Sequence, residues 1–179
     1  MLLPKKKKSL KLTIRSKKSA FLLIELIVVI GILIVLMTLS ISYFSFSSKM
    51  VQVNIEKLAL DFIFLHQSAL TTGKKQVLTF NTKKHCYSYQ NRTQYLSTGV
   101  QFGAIPSSKG PPSSPEHEII EPVTFEKYMV VFYPDGKTQS GAVYLSDEAH
   151  HHSYALTVPV SHVLTIYKYR YFKNHWERI

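Results

Sequence analysis

The 179-residue sequence is poor in several things, and each scarcity narrows what the chain does. It has one cysteine, Cys86, so no internal disulfide forms. His85 is the only base beside it in sequence, and on an extended segment it points to the opposite face, so Cys86 reads as a small strand or core residue. Acids are scarce as well, 11 Asp+Glu against 22 Lys+Arg. With only seven glycines, no glycine-rich phosphate loop stands out, and no acid pair or Ser/His/Asp ordering marks an active site. No catalysis is expected. Proline is missing from residues 21–72, so nothing there interrupts a helix.

The apparent excess of positive charge is local. Lys5, Lys6, Lys7, Lys8, Lys11, Arg15, Lys17 and Lys18 account for eight cations, with no acid among them. The rest of the chain carries 14 Lys+Arg against 11 acids. That leader is explained by membrane topology, since Lys and Arg hold the cytoplasmic side of a span.

Directly after the leader comes one long apolar run, Ala20 to Leu39, close to the ~20 residues that a helix needs to cross a bilayer. A single carboxylate, Glu25, sits near its start. On insertion scales such a group costs roughly 2.5–3.5 kcal/mol at the centre of a span, so it calls for a positive partner at the same depth. A secretory signal has an apolar core of about 7–15 residues and a small-residue cleavage site after it. Ser40-Ile41-Ser42 would serve as that site, but this run is longer and contains an acid. A plain membrane anchor gives Glu25 no role.

Basic leader, Ala20-Phe21, then Glu25 within an apolar helix: this order resembles the type IV prepilin signal. The resemblance implies a cut by prepilin peptidase between Ala20 and Phe21, with Phe21 then N-methylated. Glu25 becomes the fifth mature residue, whose carboxylate meets the terminal amine of another subunit. Ala20 stands where the family usually has glycine.

Helical patterning continues beyond the run. Val51, Ile55, Leu58, Phe62, Leu65 and Ala69 recur at three- and four-residue steps, with Ala59 and Ile63 widening the stripe. Lys49, Asn54, Glu56, Lys57, Asp61 and Gln67 fill the other face, and Gly73 supplies the stop. The chain then changes to strands: Gln76–Asn81, Cys86–Gln90, Leu96–Phe102, Met129–Tyr133, Gly141–Leu145, Tyr154–Val160 and Val163–Tyr169. Residues 106–115 form a polar, proline-rich loop, and Pro134-Asp135-Gly136-Lys137 is a turn that makes a hairpin of Phe132–Leu145.

The helix end "HQSALTTGKKQVLTF", then "VVFYPDGKTQSGAVYLSD" and "YALTVPVSHVLTIYKY", resemble the minor pseudopilins of the GspH/FimT type. The implied fold is α+β: a long amino-terminal transmembrane helix extending into a small antiparallel β-sandwich. The implied division is a leader at 1–20, a transmembrane and assembly helix at 21–44, and an extracytoplasmic globular domain at 45–179. The implied function is that of a minor structural subunit, at the tip or in the shaft of the pseudopilus, in a type II secretion or type IV pilus-like system. It waits in the bacterial inner membrane before joining the fibre. Its partners are the prepilin peptidase, other pseudopilins and the inner-membrane assembly platform.

Three other constellations bear on chemistry. His150-His151-His152 with Asp147 and Glu148 invites a metal, but adjacent histidines on an extended loop point alternately, so a solvated polar loop is expected, with no metal and no cofactor. Asn91-Arg92-Thr93 fits a glycosylation sequon by chance. The tail from Tyr167 to Arg178 interleaves rings with Lys168, Arg170, Lys173 and Arg178, a composition that suits nucleic acid. Some FimT-like subunits bind DNA through such a region during uptake. Against this, period-two alternation places Tyr167, Tyr169 and Tyr171 on one face of a final strand and Lys168 and Arg170 on the other, and that plainer reading is preferred.

Overall fold

The computed structural model describes residues 13–111, 115–161 and 163–179, with the side chains of 13–22 and 38–46 outside the described set. The chain divides into two compact units, Met1–Phe44 and Ser45–Ile179. Helix α1 (Thr13–Thr72) supplies residues to both, and Gly73, in the left-handed region at φ 64°, ends it.

In the second unit the expected stripe is the buried face. Val51, Ile55, Leu58, Phe62, Leu65 and Ala69 are all 0% exposed, and Ala59 is buried beside them. Two neighbours depart from the pattern. Ile63 is exposed, while Asn54 is buried because both ends of its amide are used: Nδ2 donates to the Met50 carbonyl at 2.8 Å and Oδ1 accepts from the Ser97 amide at 3.1 Å. Its polar groups are satisfied, so burial costs little.

Nine strands form two antiparallel sheets among the described residues. The first takes β1 (Gln76–Asn81), β2 (Cys86–Tyr89), β3 (Arg92–Tyr95) and β5 (Met129–Phe132) in the order β3-β2-β1-β5, with β4 (Val100–Phe102) belonging to the second. The second continues through β6 (Gly141–Asp147), β7 (Ser153–Val158), β8 (Tyr167–Phe172) and β9 (His175–Arg178), ordered β4-β6-β7-β8-β9. The class is therefore α+β with antiparallel sheets, in line with the expectation from sequence.

The hairpin expected over Phe132–Leu145 forms only next to its turn, where Phe132 bridges Thr138 antiparallel and the Tyr133 amide donates to the Lys137 carbonyl at 2.9 Å. Beyond that β5 pairs with β1 while β6 pairs with β4 and β7, so the chain passes from one sheet to the other. Two hairpins that the sequence did not lead us to expect do form. Gln90 and Asn91 (φ 46° and 62°) join β2 to β3, and Lys173 and Asn174 (φ 47° and 63°) join β8 to β9. Paired positive φ values are the geometry of a two-residue turn whose twist matches its strands, and asparagine tolerates it.

One core joins α1 to the inner faces of both sheets. At its centre Phe62 meets Phe132, Phe125 and Phe80 at ring separations of 5.4, 6.1 and 6.4 Å. Gly141 lets the Phe125 ring lie against β6, since a Cβ there would stand 2.6 Å from that ring. β6 and β7 are buried on both faces. Val143, Leu145, Tyr154 and Leu156 belong to the main core, while Ala142, Tyr144 and Ala155 form a smaller cluster with Ile119, Tyr169 and Trp176. Cys86 is a buried free thiol at the start of β2, as expected.

Candidate functional site

Four places are candidates: the apolar half of α1, the polar ties of its second half, the β6–β7 loop and the carboxy-terminal hairpin.

In the first unit every described side chain from Leu23 to Met37 is exposed, although all lie in regular helix. The large apolar residues show 46–65% of their surface, from Ile30 to Met37. Glu25 is exposed among them. Such an apolar surface is not left to water in a stable protein. Among the described residues no helix is long and apolar enough to cross a membrane. The described side chains cover only residues 23–37 of the run, and the remainder of the 21–44 segment lies outside them. Ala20 and Phe21, the residues of the implied cut, lie outside them too.

The second half of α1 is tied to the sheets by polar contacts. Tyr87 and Tyr89 donate their hydroxyls to the two Asp61 oxygens, at 2.6 Å to Oδ2 and 2.8 Å to Oδ1. Burial, reinforced by that carboxylate, raises both phenols above their ordinary pKa. Helical periodicity puts Asp61 on the polar face and says nothing of this tie to the sheet. A signal for it exists in the sequence: Tyr87 and Tyr89 share one face of a strand, and one acid stands on the helix to receive them.

The β6–β7 loop is less solvated than expected. Asp147 is buried, with Oδ2 accepting from the Ser47 hydroxyl at 3.0 Å and Oδ1 from the His152 amide at 2.8 Å. His150 is half-buried, its ring within 3.1 Å of Gln101 Nε2 and 3.3 Å of Ser146 Oγ. These residues therefore fasten the loop to α1 and β4. Among the described residues no group of three His, Cys, Asp or Glu side chains is placed to hold a metal.

The tail is a hairpin and not a single strand. Its alternation is as expected: Tyr169 packs outward with Trp176, while Lys168 reaches Glu56 on α1, Nζ lying 2.7 and 2.8 Å from the two oxygens. Arg170 shares the inner face with Lys168, and its guanidinium carbon lies 5.2 Å from the Phe172 ring centre. Lys173, at the turn, lies 5.2 Å from the same ring. Arg178 is opposite Tyr169 in register and so faces outward, 4.2 Å over the Tyr167 ring. The four cations are thus divided between the two faces and the tip.

No family model matches the chain, and no curated protein matches it. Among solved structures it is similar to the minor pseudopilin EpsH from the Type 2 Secretion System of Vibrio cholerae, at 10% sequence identity and a TM-score of 0.46. That likeness covers 65% of this chain and 94% of the other. A likeness at this level does not by itself assign a function.

Proposed function

We propose that the chain is a minor structural subunit of a pseudopilus-type fibre, in a type II secretion or type IV pilus-like machine. One observation carries the reading: an apolar helical segment, Leu23–Met37, whose described side chains are all exposed and which contains a single acid, Glu25. An apolar surface of that kind fits a bilayer first and the helices of sibling subunits afterwards. Glu25 then pairs with the amine of an adjacent subunit's mature amino terminus, which offsets its cost in lipid and sets axial register. The basic leader holds the cytoplasmic side, where prepilin peptidase cuts between Ala20 and Phe21 and Phe21 is methylated. The subunit waits in the inner membrane with residues 45–179 outside the cytoplasm, until the assembly platform extracts it into the fibre. Its task is packing and not turnover.

The second half of α1 extends this argument. Val53, Leu60 and Phe64 are exposed and lie on the side away from the buried stripe. They give the globular unit an exposed apolar surface of its own, where sibling helices would pack.

DNA binding by the tail draws less support from the geometry. Lys168 is already held by Glu56, and Arg178 faces away from Lys168 and Arg170. Replacing Lys168, Arg170, Lys173 and Arg178 tests it: a DNA reader would lose binding and its salt dependence, and a solvated hairpin would show neither to begin with.

The proposal itself is tested by the mature amino terminus. In a host with the matching peptidase, mass spectrometry should show loss of residues 1–20 and one added methyl group. An intact leader, or a cut beyond Ser42, would overturn it.

A further inference from the structure

The outer face of the second sheet carries a cavity that the fibre role does not use. It takes in ≈ 480 Å³ between Gly110, residues 117–121 and strands β6, β7 and β8. Its floor includes Ala142, whose small side chain leaves the space open, and its walls include Tyr144, Tyr167 and Tyr169. Glu118 and Glu121 line it from the covering segment. Trp176 Nε1 donates to the Lys109 carbonyl at 2.7 Å, tying that segment to the hairpin. The volume is in the range of pockets that take a small molecule or a large side chain.

Three observations indicate what it takes. Tyr144 is only 5% exposed, and its hydroxyl, at the cavity wall, has no hydrogen-bond partner among the described residues. Burial pushes its pKa up to about 12, so the phenol is neutral at physiological pH and able to accept from an N–H.

The covering segment supplies the charge. Residues 110–126 contain four glutamates and no lysine or arginine, in a chain that beyond its leader has 14 Lys+Arg and 11 acids. Glu118 and Glu121 are exposed, and among the described residues neither is in an ion pair. Finally, the tyrosine wall already holds one planar cation, the Arg178 guanidinium over Tyr167 at 4.2 Å.

We propose that this cavity receives a lysine or arginine side chain from an extended peptide segment of a partner protein. The cationic head lies between Glu118 and Glu121, the Tyr144 hydroxyl accepts one of its N–H groups, and the methylene stem runs over Ala142 and the tyrosine rings. The inference does not rest on the fibre reading, because it needs only the second unit's outer face.

The test uses the full chain in a non-ionic detergent, titrated calorimetrically with three capped tripeptides: acetyl-Gly-Arg-Gly-amide, acetyl-Gly-Lys-Gly-amide and acetyl-Gly-norleucine-Gly-amide. The cationic peptides should bind saturably, with Kd about tenfold or more below that of the norleucine peptide. The double variant Glu118→Gln/Glu121→Gln should remove that preference without changing the melting curve, since both residues are exposed. Tyr144→Phe should weaken both cationic peptides several-fold, roughly the loss of one charge-assisted hydrogen bond. Equal binding of all three peptides would overturn the proposal. So would retention of the cation preference by the double Gln variant, or no saturable binding up to about 10 mM, beyond any useful affinity.

Discussion

Two halves of one helix obey the same local rule and end in opposite situations. Both Leu23–Met37 and Val51–Ala69 are apolar enough and proline-free, and both are helical. In the second, six residues at three- and four-residue steps are fully buried against two sheets, and polar neighbours such as Asp61 and Asn54 are used as ties. In the first, apolar residues face every direction and none of those described is buried. Local sequence decides that a segment is helix; the distribution of its apolar residues decides whether the chain can cover it. The second half is stabilised within the molecule, and the first must find its environment outside.

The sharpest contrast comes from truncating one residue in each half. Phe62→Ala removes a fully buried ring and should cost about 3–5 kcal/mol of unfolding free energy in the globular unit, read by denaturant titration. Leu33→Ala, at an exposed position, should change that value by less than about 0.5 kcal/mol. Similar losses from both would mean that the apolar half stabilises the domain directly.

Next in size is the polar tie. Asp61→Asn leaves one amide to serve two phenols and removes the charge that strengthens both bonds. It should cost about 1–3 kcal/mol by the same titration, with no change in membrane extraction. A neutral result would show that the tyrosines find other acceptors.

The last effect appears only in alkali. Tyr144 holds its proton to about 12 in the fold, against 10 in the unfolded chain, and Tyr87 and Tyr89 are shifted the same way. Their contribution to stability is fully present below pH 10 and is lost as the pH climbs towards 12. The thermal midpoint should fall over that interval, and less steeply in Tyr144→Phe. A midpoint that is flat to pH 12 would contradict the burial of these phenols.

The contrast between the halves is legible in the sequence, because it depends on periodicity and on the absence of proline. The core stripe, the Gly73 stop, β1 and the outward tyrosines of β8 follow from local patterning alone. Pairing is harder to read. Phe132–Leu145 has the appearance of a hairpin, yet whether two successive strands share a sheet depends on contacts with β1 and β7 that no local window contains. Gln90-Asn91 and Lys173-Asn174 escape notice because neither has the glycine that usually marks a two-residue turn; asparagine accepts the left-handed region by itself. The cavity is invisible for a related reason. It arises where Gly110 and residues 117–121, loop-like in sequence, lie over Ala142 and the tyrosines that strand pairing sets around it.

The central claim is that the exposed half of α1 works between subunits, with Glu25 as its charged contact. Glu25→Gln keeps the size of the side chain and removes the charge, so co-purification with sibling subunits from membranes tests the claim most directly. The account predicts that the variant still inserts, loses its leader and folds from residue 45 onward, but is recovered with its siblings at a small fraction of the wild-type level. Wild-type recovery of Glu25→Gln in the assembled fibre would show that apolar packing suffices and that the charge pair does not drive assembly.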